Sequence, residues 1–200
     1  MLSGLKHFPG YLDRSAQQEL VDQFRAAMAD APLFTPVMPR TGRPFTVRMT
    51  NLGSLGWVSD RAGYRYQASH PETGRAWPPI PAMALDIWRE VSGYPHDPEA
   101  CLVNVYRESA RMGLHRDEDE QDFSAPVVSI SLGDTAVFRL GGLERGGMTR
   151  SFKLASGDVL VLGGAARLCY HGIDRVLAGT SSLLKEGGRI SLTLRRVTMP

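Results

Sequence analysis

Seven short apolar or alternating runs follow one another after Tyr94: CLVNVY, VVSISLG, TAVFRL, RSFKL, DVLVLG, RLCYHG and RISLTLR. Each has the length and residue content of a strand, and GGLERGG, ASGD and GTSSLLKEGG between them supply turns. Strands at roughly ten-residue spacing with no helical pattern between them argue against a doubly wound sheet and predict a sandwich, barrel or jelly roll.

Upstream, Leu20, Val21, Phe24, Ala27 and Met28 recur at helical intervals behind Ser15 and Gln18, which have capping-box spacing. An amphipathic helix is predicted over 16–29. Pro32, Pro36, Pro39, Gly42 and Pro44 then break the chain before PFTVRMT, read as a strand. From Leu52 to Pro81 there are turn residues and aromatics with little periodicity. A second helix is expected from near Pro81 to near Gly93, burying Ala84, Ile87, Trp88 and Val91. The class is mainly β with flanking helices (α+β), and 200 residues fit one domain with an ample core.

Hydrophobic residues at 42% and charged residues at 22% exclude a disordered chain or a coiled coil. The net charge of +2 excludes a polycation. Charge is nevertheless concentrated. Between Arg40 and Arg75, six arginines face only Asp60 and Glu72, interleaved with Phe45, Trp57, Tyr64 and Tyr66. That composition suits gripping phosphates while stacking on bases, with a solvated loop as the plain alternative. Cys101 and Cys169 sit in apolar runs and read as buried free thiols in a reducing compartment. No signal-peptide core or membrane-length apolar run is present, so a cytoplasmic protein without a membrane partner is expected. His7, His70 and His96 lie in turn-rich or terminal stretches and read as surface residues.

His115 and Asp117 form an HxD pair after a strand signal, and residues two apart in extended chain share a face. His171, on a separate strand signal, completes two imidazoles and one carboxylate. Such a set leaves three metal positions open, as in non-haem Fe(II) oxygenases. A structural zinc site would close its fourth position with protein, and neither cysteine is spaced to do so. In RISLTLRR, Arg189, Ser191, Thr193 and Arg195 fall on one strand face and Ile190, Leu192 and Leu194 on the other. Buried arginines need an anionic partner, which a dicarboxylate would supply. Six strand residues span roughly 20 Å, so the two guanidinium groups must lean inward or one must act through another residue.

HRDED at 115–119, NVY at 104–106, SLG at 131–133, FRLGGL at 138–143, RLCYHGI at 167–173 and RxSxTxR at 189–195 together resemble the AlkB family of Fe(II)- and 2-oxoglutarate-dependent dioxygenases. MTNLGSLGW and GYRY look like its bacterial members that repair alkylated DNA. The resemblance covers about 45–196. It implies a double-stranded β-helix, or jelly roll, over about 95–200, capped by a nucleotide-recognition lid over about 34–80, in a single catalytic domain. It also implies Fe(II), 2-oxoglutarate and O2, with His115, Asp117 and His171 as iron ligands. Asn104, Tyr106 and Arg189 would hold 2-oxoglutarate. Ser191 stands where bacterial members often carry Asn, and Arg195 would sit near the keto-acid end or buttress the metal aspartate. Trp57 resembles the lid tryptophan that stacks on the base, and Asp119 would face the exocyclic amine. Tyr64 and Arg145 would touch backbone or base, and Met49 would line the pocket. PRTGRP at 39–44 departs from the family lid, with Arg43 where an aromatic is often found.

The implied reaction is oxidative demethylation of N1-methyladenine or N3-methylcytosine in single- or double-stranded DNA by a monomer, releasing formaldehyde and succinate. A cationic methylated base that cannot pair is easier to flip out than an intact one. The alternatives are a related oxygenase acting on RNA or another methylated substrate, and a catalytically silent jelly-roll module that binds nucleic acid.

Overall fold

The computed structural model describes residues 3–107 and 109–200. In chain order its elements are β1 (Leu5–Phe8), α1 (Arg14–Ala27), β2 (Arg48–Gly53), β3 (Gly56–Asp60), β4 (Gly63–Gln67), α2 (Ala82–Val91), β5 (Ala100–Tyr106), β6 (Met112–His115), β7 (Val127–Gly133), β8 (Thr135–Leu140), β9 (Arg150–Leu154), β10 (Val159–Leu162), β11 (His171–Leu177) and β12 (Arg189–Arg195). Six strands form one antiparallel sheet in the order β1-β10-β7-β12-β5-β2, and four form a second in the order β6-β11-β8-β9. Residues of both sheets line one cavity between them, which is the jelly-roll architecture expected from the strand spacing.

The alternation of β12 decides what each side of the large sheet does. Ile190, Leu192 and Leu194 enter a core with Leu20, Val21 and Phe24 of α1 and with Ala84, Ile87, Trp88 and Val91 of α2. Arg189, Ser191, Thr193 and Arg195 face the cavity instead. Both helices thus close the outer face, leaving the inner face for polar residues. No helix among the described residues is long and apolar enough to cross a membrane.

Several boundaries differ from the sequence expectation. Helix α1 starts at Arg14 because Asp13, not Ser15, caps it: the Asp13 side chain accepts from the Ala16 N–H at 2.8 Å. The run PFTVRMT enters the sheet only at Arg48: before it, Pro44 makes an isolated bridge to Val37 and Thr46 Oγ1 donates to the Arg111 carbonyl, so the segment stays a loop. The stretch read as aperiodic contains the β3–β4 hairpin. RLCYHG is not a strand throughout: Gly164–Ala166 forms a 3-10 turn, Arg167 follows it, and pairing begins at His171. His70 is buried rather than on the surface. Its Nε2 donates to the Pro32 carbonyl at 2.8 Å and its Nδ1 accepts from the Glu72 and Thr73 amides, so it stitches a turn. Both cysteines are buried and free.

Candidate active site

Strand β6 ends on His115 and β11 begins on His171, and the two are cross-strand partners. Gly172 permits this approach. A Cβ there would stand 2.5 Å from the Met112 carbonyl oxygen and 2.8 Å from that of Gly113, closer than non-bonded atoms tolerate. Asp117 follows two residues beyond β6, and one ligand atom from each of His115, Asp117 and His171 falls within 4.8 Å of the others.

The rings are oriented for metal binding. His115 Nδ1 donates to the Gly113 carbonyl at 2.9 Å and His171 Nδ1 to the Cys169 carbonyl at 3.0 Å. A carbonyl only accepts, so each Nδ1 carries the proton and each Nε2 presents its lone pair. Both Nε2 atoms lie 3.7 Å from Asp117 oxygens. Asp117 Oδ1 accepts from Arg195 Nη2 at 2.9 Å, while the buried Oδ2 has no hydrogen-bond partner among the described residues. Burial alone would raise the Asp117 carboxyl, but Arg195, with both imidazoles, overrides this and holds it well below the usual range. Burial, aided by His115, pushes His171 down to about 4, keeping it neutral. Two imidazoles that present Nε2 and one ionised carboxylate with an orphaned oxygen fit a divalent iron.

The cavity, about 630 Å³ in volume, continues past the triad. Arg189 is 1% exposed, yet among the described residues its Nε and Nη1 have no hydrogen-bond partner, while Nη2 reaches Ser131 Oγ at 3.0 Å and Ser191 Oγ at 3.4 Å. Burial lowers its basicity without neutralising it at ordinary pH, so the site carries a cation lacking its anion. Cross-strand register sets Tyr106 against Arg189 and Asn104 against Ser191. The Arg189 guanidinium lies 5.3 Å from the centroid of the Tyr106 ring, and Asn104 Oδ1 is likewise buried and without a hydrogen-bond partner among the described residues. These orphaned groups in one chamber fit a dicarboxylic keto acid. The spacing question for the two arginines resolves in favour of the buttress, since Arg195 turns to Asp117.

At the other end, Met49, Trp57, Tyr64, Asp119 and Arg145 all line the same cavity. Trp57 stacks on Tyr64 with centroids 5.5 Å apart at 17°, and meets the edge of Phe45. Its backbone is held in both directions by the Asn51 side chain. Arg116 and Arg145 set their guanidinium groups over Tyr170 at 5.5 and 5.7 Å. All thirteen residues singled out from the sequence therefore border this one space.

Three neighbours escaped sequence reasoning. Glu120 stands in a run of five acids, Asp117, Glu118, Asp119, Glu120 and Asp122, yet it is buried between Arg167 and Arg195 and accepts from the Tyr66 hydroxyl. Burial raises Tyr66 well above its ordinary value, so it stays a donor. The signal for Arg167 was a lone charge within an apolar run.

The arrangement defines the class: an Fe(II)- and 2-oxoglutarate-dependent dioxygenase. The family profile described as the 2OG-Fe(II) oxygenase superfamily matches residues 4–195. The chain is 55% identical over 196 residues to the alpha-ketoglutarate-dependent dioxygenase AlkB homolog of Caulobacter vibrioides, covering 98% of this chain and 89% of that protein. It is 39% identical over 186 residues to alpha-ketoglutarate-dependent dioxygenase AlkB of Escherichia coli K12, covering 91% and 85%. The solved structure of OsALKBH1 superposes with a TM-score of 0.86 at 29% identity, covering 98% of each chain. The chain belongs to the AlkB family.

Proposed function

We propose that this enzyme oxidatively demethylates N1-methyladenine and N3-methylcytosine in DNA, with His115, Asp117 and His171 holding the iron. The observation that carries the reading is the pairing, in one cavity, of an aromatic and acidic wall with the triad and the unpaired Arg189. Trp57 offers a stacking face, and Asp119 offers a negative charge to a cationic methylated ring. Arg40, Arg116 and Arg145 at the rim suit phosphates of the strand that carries the flipped base. The β3–β4 hairpin, with the segment around it, serves as the nucleotide-recognition lid of a single catalytic domain.

Arg189 takes the distal carboxylate of 2-oxoglutarate through its free Nε and Nη1, assisted by the Ser191 hydroxyl, while Asn104 and Tyr106 fix the rest of the molecule. Arg195 holds Asp117 by Oδ1, which leaves Oδ2 as the oxygen that would ligate a bound metal. Bound iron, with O2 and 2-oxoglutarate, supplies the oxidation of the N-methyl carbon, and formaldehyde, succinate and CO2 leave. Incubation with methylated single-stranded DNA, Fe(II), 2-oxoglutarate and ascorbate, read by nucleoside mass spectrometry and succinate assay, tests this. Coupled succinate and unmethylated base are expected. Succinate without repair points to another methylated substrate, and no turnover to a silent binding module.

A further inference from the structure

Between β6 and β7 the chain runs through residues 116–126 without regular structure, although Asp117 and Glu120 within it are buried. Buried backbone without a sheet or helix must find its hydrogen bonds elsewhere. One side chain serves two of its carbonyls. Arg167, 2% exposed, donates from Nη1 to the Asp117 carbonyl at 2.6 Å, from Nε to the Ala125 carbonyl at 2.9 Å and from Nη2 to Glu120 Oε2 at 3.0 Å. The ring of Phe123 lies 5.5 Å from its guanidinium carbon. Arg167 itself caps the Gly164–Ala166 turn, four residues before His171.

We propose that Arg167 is a positioning residue for the metal, holding the loop that carries Asp117 in register with the strand that carries His171. It touches neither the triad's ligand atoms nor the cavity. Its planar fork spans both ends of the loop, which a point charge cannot do. It also neutralises Glu120, whose Oε1 lies 3.5 Å from Arg195 Nε. Without Arg167, Glu120 would compete with Asp117 for Arg195. The clamp is therefore built to set the geometry of the third ligand before any metal arrives.

The inference rests on the ligand assignment above, and the experiment separates the two. Mn(II) binding to metal-free protein is measured by electron paramagnetic resonance for wild type, His115→Ala and Arg167→Lys, with circular dichroism as the check on folding. Lysine keeps the charge beside Glu120 and loses the fork. The Mn(II) dissociation constant of Arg167→Lys should rise about 10- to 100-fold, the range found when partners of metal ligands are removed. Wild-type affinity in a folded Arg167→Lys chain overturns the clamp. Undiminished affinity in His115→Ala overturns the ligand assignment instead. A second measurement needs no variant. The Gln121 amide donates to the Val197 carbonyl at 2.8 Å, so in metal-free wild type it should exchange hydrogen as slowly as after Mn(II) loading. Free exchange there before loading shows that the loop is not held, and overturns the proposal even if Arg167→Lys does not fold.

Discussion

The indole N–H of Trp57 donates to Asp119 Oδ2 at 2.7 Å, joining two segments 62 residues apart across the mouth of the cavity. Burial pushes the Asp119 carboxyl up while this bond pulls it down. The carboxylate is thus held by one oxygen, and Oδ1 makes no hydrogen bond among the described residues.

Trp57→Phe keeps an aromatic face and removes the donor. A hydrogen bond to a charged group contributes about 1.5–3 kcal/mol, so repair efficiency should fall about 10- to 100-fold with 2-oxoglutarate affinity unchanged. Asp119→Ala should hurt cationic lesions more than neutral ethenoadenine-type adducts. Steady-state kinetics on both lesions, beside calorimetry of 2-oxoglutarate with the Mn(II)-loaded protein, decide the matter. Equal losses on both lesions would remove Asp119 from base recognition.

Arg189→Lys exchanges a fork for a point charge in a pocket already short of an anion. The KM for 2-oxoglutarate should rise at least about tenfold, equally for every DNA substrate, because the lost bond is to the co-substrate alone. A change confined to one lesion would contradict this.

Gly172→Ala tests the closeness of β6 and β11. With carbonyl oxygens 2.5 and 2.8 Å from the added carbon, the strands must part, separating His115 from His171. Mn(II) affinity should drop by an order of magnitude or more while circular dichroism stays that of wild type. Retained affinity would mean the strands absorb a methyl group without moving the imidazoles.

Acid should weaken the metal-free protein in a defined window. His171 is held at about 4 when folded, against about 6.5 for a free imidazole. The unfolded chain takes up a proton below about 6.5 that the folded chain refuses, so stability present above that pH is lost as pH falls toward 4, by up to about 3 kcal/mol. Asp117, also held low, adds a loss of the same sign further into acid. Thermal melts from pH 7 to 4 should show a falling Tm, with a shallower slope in His171→Asn. An identical slope in the variant would assign the effect to other groups.

The polar chamber was more legible in the sequence than the β3–β4 hairpin. Strand β12 declares itself because alternate residues of a core strand are charged or hydroxylated, a pattern only a polar chamber accommodates. The HxD pair and the late histidine read from residue type and spacing, although only His115 and His171 lie on strands and Asp117 is set by the loop that follows β6. The β3–β4 hairpin did not read, since its turn lacks the usual Asn-Gly signal: the Asp60 side chain accepts from the Ala62 amide, and Gly63 takes a φ of 121°. Glu120 was hidden among acids because its partners, Tyr66, Arg167 and Arg195, lie 54, 47 and 75 residues away, and only the fold brings them together. The same distance concealed Arg167 behind an apparent strand.

Strand β12 lies between β7 and β5, paired with both along all seven of its residues. Without it the large sheet would be two halves, β1-β10-β7 and β5-β2, and the chamber would lack Arg189 and Arg195. A one-residue slip on insertion would send Ile190, Leu192 and Leu194 into the chamber and four polar side chains into the oily layer beneath the helices. Seating β12 in this one register therefore closes the large sheet and delivers both guanidinium groups to the chamber together.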